Sequence, residues 1–347
     1  MIERCAKVRS VADSRSGVAM ILVLLIIPAV LLLVAGTTRL LLVRYAGSAS
    51  QRTRAAGDAL LESGLALSQA FLNGKMTGYS EPELYPEKFS EVLQTVSNQL
   101  ESASITGFIT NEYGRISLDV LAGYSDNATA VGKDMVTDTA RIFEELVEDL
   151  CDQHGFDADP RDLLTSIAIW SGAKDKRHDK TWYASRRPPY TLPGRALSSP
   201  DQLLLLRWPG ISRRDFKTLY NGTDEVPGLR EFVTVWSKGP LDMRAAAGPV
   251  LQAVAEVAGA RNRKARSFAR EILERREDGD DENQSWYRNA ILSVGMNVDD
   301  FPTKALGNGG KTYRVELVVQ SGAGTIRALT VMRRTAKKYQ QLFRLRY

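Results

Sequence analysis

Carboxylate, thiol and imidazole groups crowd one short run of the chain, Asp149, Cys151, Asp152 and His154. Those are the materials of nucleophilic catalysis or of a metal site. The spacing fits neither. The chain has only two Cys, Cys5 and Cys151, and two His, His154 and His178, so no zinc set can be assembled at short spacing. The G-x-S-x-G, H-E-x-x-H and phosphate-loop patterns are absent. A helix end accounts for the cluster, and each His is flanked by charge as a surface residue is. A second run, Asp278-Gly279-Asp280-Asp281-Glu282, carries the oxygen ligands that calcium takes. Like charges in a row repel one another and stay in water, so this run reads as a solvated linker. An enzyme is therefore not expected, and no cofactor is. Calcium is the one ion for which the sequence holds a candidate.

Composition narrows the class further. The 347 residues are 44% hydrophobic and 25% charged, which suits a folded chain rather than a disordered one. Lys+Arg (46) nearly balances Asp+Glu (41), leaving +5, too little to argue for nucleic acid. Residues 18–35 read VAMILVLLIIPAVLLLVA, without a charge. A run of that length crosses hydrocarbon when helical, and Pro28 is tolerable in a membrane helix. If it does cross, Cys5 and Cys151 lie on opposite sides and no disulfide can form. Arg4, Lys7, Arg9 and Arg15 before the run are matched by Arg39, Arg44, Arg52 and Arg54 after it, so flanking charge does not orient it.

Beyond the apolar run, residues 44–72 place Leu60, Leu61, Leu65, Leu67, Phe71 and Leu72 at helical spacing, predicting an amphipathic helix that lays one face on a globular body. A helix over 87–102 follows, then strands at 105–110 and 115–120 about the turn Asn111–Gly114. From about 135 the pattern turns helical: 136–150, 160–170, 199–207, 212–220, 249–258, 265–276 and 285–294. Strands return at 313–319 and 325–332, with a last one over 341–347. This order predicts an α+β fold in which the late strands complete the sheet begun before the helical block. The expected divisions are 1–17 as a leader, 18–43 as a transmembrane helix, 44–134 and 301–347 as two parts of one α+β domain, and 135–300 as an inserted all-helical domain. The cationic tail Arg333, Arg334, Lys337, Lys338, Arg344 and Arg346 reads as a solvated edge that discourages strand-to-strand aggregation.

The segment Ser16-Gly17-Val18-Ala19-Met20-Ile21 resembles the leader junction of type IV pilins and pseudopilins. With it come Glu112-Tyr113-Gly114-Arg115-Ile116-Ser117-Leu118, Pro188-Pro189-Tyr190, Ala196-Leu197-Ser198-Ser199, residues 202–211 (QLLLLRWPGI), 239–246 (GPLDMRAA) and Thr312-Tyr313-Arg314-Val315, in that order. Together they resemble type II secretion system protein K, the large minor pseudopilin. The resemblance implies a long N-terminal helix packed on a pilin-like antiparallel sheet, with a large helical insertion of the SAM or helix-hairpin-helix kind. It implies cleavage after Gly17 and N-methylation of Val18 by prepilin peptidase, inner-membrane lipid around one span, a periplasmic body, and other minor pseudopilins as partners. Leu22 stands at the fifth mature position, where most pilin-like subunits carry Glu, and this fits a place at the pseudopilus tip. Two departures stand out. Ser171-Gly172-Ala173-Lys174-Asp175-Lys176-Arg177 after Trp170 is net basic where the family is acidic, and Arg244-Ala245-Ala246 replaces an Asn-Thr-Ala pattern. Arg207-Trp208-Pro209-Gly210-Ile211, followed by Arg213, Arg214 and Lys217, also resembles the DNA-contacting hairpin of helix-hairpin-helix elements. The alternatives are therefore a minor type IV pilin of an adhesion or DNA-uptake system, or a membrane-anchored DNA-binding protein; no nucleic-acid partner is expected.

Overall fold

The computed structural model describes residues 13–73, 86–100, 103–124, 134–173, 181–278, 286–307, 310–322, 324–335 and 339–347. A single helix, α1, runs from Asp13 to Leu72, and α2 spans Pro86–Ser97. The expected anchor and the amphipathic helix after it are thus one continuous rod. Among the described residues no helix is long and apolar enough to cross a membrane. Most side chains of the run 18–35 lie outside the described set.

Four strands make the main sheet: β1 (Ala103–Asn111), β6 (Thr312–Ser321), β7 (Gly324–Arg334) and β8 (Tyr339–Arg346). They are antiparallel throughout, in the order β1-β6-β7-β8. On β6, Tyr313, Val315, Leu317 and Val319 are buried and alternate with Arg314, Glu316 and Val318, as a strand with two different faces requires. The buried set meets Leu61, Leu65, Phe71 and Leu72 of α1 and Phe89 and Leu93 of α2 in one apolar core. Ser90 and Ser97 of α2 hydrogen-bond the carbonyls of Gly107 and Ile105, and Ser97 accepts from Ile105 N, so α2 covers the β1 edge.

The chain between β1 and β6 builds a second core. The strand predicted over 115–120 does not pair back on β1. Glu112–Gly114 form a 3-10 turn, β2 is only Ile116–Ser117, and α3 starts at once over Leu118–Leu121 with Ser117 as its cap. β2 instead pairs in parallel with β3 (Val233–Thr234), while β4 (Leu241–Asp242) pairs with β5 (Leu306–Gly307). Helices α4 (Met135–His154), α5 (Pro160–Trp170), α6 (Thr181–Ala184), α7 (Arg213–Asn221), α8 (Gly248–Val257), α9 (Arg263–Glu277) and α10 (Trp286–Ser293) supply the rest. Asp134 caps α4 through Thr137 N, and Gly155 ends it at φ 70°, a left-handed turn that suits glycine. The helix expected over 199–207 is a 3-10 segment, Pro200–Leu205, which Pro200 opens. The run 278–282 falls mostly outside the described residues.

Candidate functional site: the joint between rod, sheet and head

Three parts have to move together if the molecule is a structural subunit: the rod α1, the sheet, and the helical head between β1 and β6. The rod is fastened to the sheet by packing and by charge. Leu61 and Leu65 are buried, and Gly64 brings α1 so close that an added Cβ would meet the Ile105 and Leu317 side chains. Tyr339 Oη donates to Leu72 O at 3.0 Å. Arg344 and Arg346 on β8 reach across to Glu62 and Asp58 of α1. These two arginines belong to the tail expected to be a solvated edge. The structure corrects that reading, because acidic residues on the neighbouring helix stand at matching height. Lys337 and Lys338 lie outside the described residues.

The head joins the sheet where the chain leaves β1 and returns on β6. Asn111 and Tyr313 are register partners, so the two crossing points are neighbours. Glu112, one residue past the first crossing, is fully buried. Its Oε1 accepts from Arg314 Nε at 2.6 Å, and its Oε2 accepts from the Thr234 hydroxyl. The Arg314 guanidinium sits 5.3 Å from the centroid of the Trp236 ring, which in turn packs on Phe343 of β8. Arg333 of β7 donates to Trp236 O at 3.0 Å, and Asn111 Nδ2 donates to Gly310 O at 3.0 Å. Gly114 lies against the Ala245 carbonyl so tightly that a Cβ there would collide with backbone. Sequence reading placed Glu112 in a turn between two strands. No periodic signal marks a buried carboxylate there, and its partners Thr234 and Arg314 are distant in sequence.

Arg115 lies beside this pair. Burial lowers its pKa from the ordinary arginine value, Glu112 opposes that, and Arg314 adds to it. Its Nη1 is buried without a hydrogen-bond partner among the described residues. The residues form a cleft of about 520 Å³ between sheet and head, lined by Arg115, Arg230, Arg314, Glu231 and Glu316 among others. The charges there nearly cancel.

The cluster that opened the sequence reading is divided around the end of α4, with Cys151 inside, Asp149 and His154 half-buried and Asp152 exposed. Cys151 is free and buried, and burial, then Asp152 and Glu148, push its thiol up to about 12. A thiol so raised is not a nucleophile at neutral pH. Asp149 meets Glu256 of α8 rather than His154. Burial, then the Asp149 charge, raises Glu256 to about 8, and burial raises Asp149 too. No group of three or more His, Cys, Asp or Glu among the described residues can hold a metal ion.

Gly17, Val18 and Leu22 all lie within α1, on residues whose side chains are outside the described set. The structure does not bring them to the joint.

No family model matches the sequence, and no curated protein matches it. A chain of the crystal structure of the GspK-GspI-GspJ complex from the enterotoxigenic Escherichia coli Type 2 Secretion System superposes on this one. The TM-score is 0.55, over 86% of this chain and 99% of that one, at 11% identity. The chain has a GspK-like fold. At that identity the likeness is one of architecture. The GspK-like fold is mixed α+β with an antiparallel sheet and many helices, and here α3 to α10 sit between β1 and β6. The residues quoted for the hairpin, 207–211, follow the 3-10 segment Pro200–Leu205 and precede α7.

Proposed function

We propose that this protein is a minor pseudopilin of type II secretion, working at the tip of a pseudopilus that exports folded periplasmic proteins. The observation that carries the reading is the joint of rod, sheet and head within a GspK-like fold. A chain whose long helix, sheet and bulky head are bonded to one another suits a filament subunit. The partners follow by analogy with GspK in its complex with GspI and GspJ, and are other minor pseudopilins. Leu32, Leu33, Val34 and Leu40 stand exposed on α1, at 75%, 68%, 53% and 53%. Apolar side chains so placed call for lipid or a neighbouring helix as cover. The first half of α1 is accordingly read as the inner-membrane anchor, with the body in the periplasm.

In this reading prepilin peptidase cuts after Gly17 and methylates Val18. Leu22 then leaves the fifth mature position without the carboxylate that would neutralise a neighbour's amino terminus in lipid, where an unpaired charge is costly. A tip subunit has no neighbour above it to neutralise. The test is N-terminal mass spectrometry of the membrane-bound chain, made with and without prepilin peptidase. A methylated chain beginning at Val18 only when the peptidase is present supports the reading. A chain beginning near Thr37 and free of lipid overturns it. If Leu22→Glu leaves tip assembly and secretion unchanged, the charge argument for the tip fails even where the processing holds.

A further inference from the structure

Away from the joint, the head contains a hollow that the pseudopilin reading does not use. It lies between α6, the 3-10 segment 200–205 and the start of α7, with a volume of about 350 Å³. Trp182, Tyr190 and Trp208 give it aromatic walls, and Arg186, Arg207 and Arg213 give it charge. Among the described residues no carboxylate lines it, and none of the three arginines forms an ion pair. The Arg186 guanidinium lies 3.6 Å from the centroid of the Trp182 ring, and its Nε is buried with no hydrogen-bond partner among the described residues. Trp208 is fixed from behind: its Nε1 donates to Asp159 O at 2.8 Å and its ring meets Phe216 edge-on at 5.1 Å. The Trp208 wall is thus held in place before anything binds.

The chemistry of the lining selects the occupant. A hollow of this size, near the lower end of the range for ligand sites (about 300–1,000 Å³), takes one ring rather than a chain. Aromatic walls favour a ring placed edge-on or offset. Guanidinium groups are weakly hydrated and match a carboxylate with two parallel N–H bonds. A nucleic-acid phosphate fits less well. The N-terminus of α7, where a hairpin would hold a phosphate, already carries the Asp215 carboxylate, which accepts from Ser212 Oγ at 2.6 Å. We propose that this hollow receives an aromatic side chain together with the carboxylate beside it, from an acidic segment of a partner protein.

The full chain, in nonionic detergent at low salt, is titrated with a blocked tripeptide of aspartate, phenylalanine and glutamate, and binding is read by calorimetry. Three comparison ligands are used: the tripeptide with both acids changed to amides, the one with phenylalanine changed to alanine, and a single-stranded oligothymidylate. The acidic aromatic peptide is expected to bind about tenfold tighter than either altered peptide, as the loss of a charge-assisted bond or of a buried ring implies. Arg213→Gln, at an exposed position, and Arg207→Gln are each expected to weaken it by a similar factor with the helical circular dichroism unchanged. Leu204→Trp, which fills the hollow without touching its charge, should abolish binding. Equal binding of the acidic and amide peptides, or indifference to Arg213→Gln, overturns the proposal. So does an oligonucleotide that binds where the peptide does not. None of these outcomes bears on N-terminal processing, so the two readings fail separately.

Discussion

Replacing Glu112 by Ala should break the joint while leaving the rod on its sheet. The carboxylate is fully buried and meets Arg314 at 2.6 Å, and Arg314 is itself only 11% exposed in its side chain. Removing the acid leaves Arg314 and Arg115 side by side with Glu316, 3.8 Å from Arg314, as the nearest remaining counter-charge, and Thr234 loses its acceptor. Breaking a buried pair from one side typically costs about 3–5 kcal/mol. The second guanidinium raises the cost and the retained Glu316 offsets part of it, which keeps this case inside that range. Glu112→Gln keeps the shape and an acceptor for Thr234, so its loss should be smaller, about 1.5–3 kcal/mol, the worth of a charged hydrogen bond. The pair Glu112→Leu with Arg314→Met removes both charges. It should recover most of the loss, because apolar side chains of similar volume often replace a buried pair at little cost. Two cores make a single unfolding transition an unsafe readout, so urea unfolding is paired with amide hydrogen exchange. Glu112→Ala should lose protection in Ile116 and in the β2–β3 pair, while Leu61 to Leu72 of α1 and the β6–β7 pair keep theirs. A stability within about 1 kcal/mol of the parent, at the margin expected of exposed pairs, would refute the joint as described. So would a double variant no better than Glu112→Ala.

Three further predictions rest on other contacts. Gly114→Ala should destabilise the same joint by about 1–3 kcal/mol, the usual cost of overpacking, because its Cβ meets the Ala245 carbonyl; urea midpoints check it. Glu256 has its pKa raised to about 8, chiefly by burial and then by Asp149, so the folded state holds a proton that the unfolded chain releases near the ordinary carboxylate value. That contribution is full below the unfolded pKa and is lost as pH rises through about 8. Thermal unfolding should therefore be higher at acidic than at mildly alkaline pH, and Glu256→Gln should flatten the difference. Cys151, buried and raised to about 12, should resist a charged maleimide at neutral pH in the folded chain and react when urea exposes it.

The sequence made the helices legible because their apolar residues recur at a period the backbone must honour. Val136 to Leu150 and Pro160 to Trp170 fall within α4 and α5 for that reason. The return of strands beyond residue 310 was legible in the same way, from the alternation of Tyr313, Val315, Leu317 and Val319. Pairing was not legible. Residues 115–120 carry strand-like composition, yet Ser117 caps a helix turn and β2 finds β3 only beyond α3 to α7. Local propensity cannot report a partner so far along the chain. The joint escaped for a similar reason. Glu112 looks like any turn carboxylate until Thr234 and Arg314 are brought to it. Arg344 and Arg346 look like edge charges until α1 lays Glu62 and Asp58 beside them. The hollow was half visible, since its hairpin was singled out, but Arg186 and Trp182 joined it only through the fold.

A head carried on two neighbouring strands would swing about that line unless something resists torsion. Asn111 and Tyr313 lie opposite each other, so the crossing itself is narrow and stiff only along the strands. The resisting contacts sit to either side of it. Glu112 with Arg314 and Thr234 braces one side, and Arg333 on the Trp236 carbonyl, with Phe343 against the Trp236 ring, braces the side toward β8. β8 is also the strand whose Arg344 and Arg346 grip α1. Trp236 and β8 thus link the head to the rod by contacts outside the core that α1 shares with the sheet. A chain that only needed to fold could leave that route to packing. One that has to hold its head at a fixed angle to its rod, as the proposed function requires, needs directional bonds such as Glu112 with Arg314 and Arg333 with the Trp236 carbonyl.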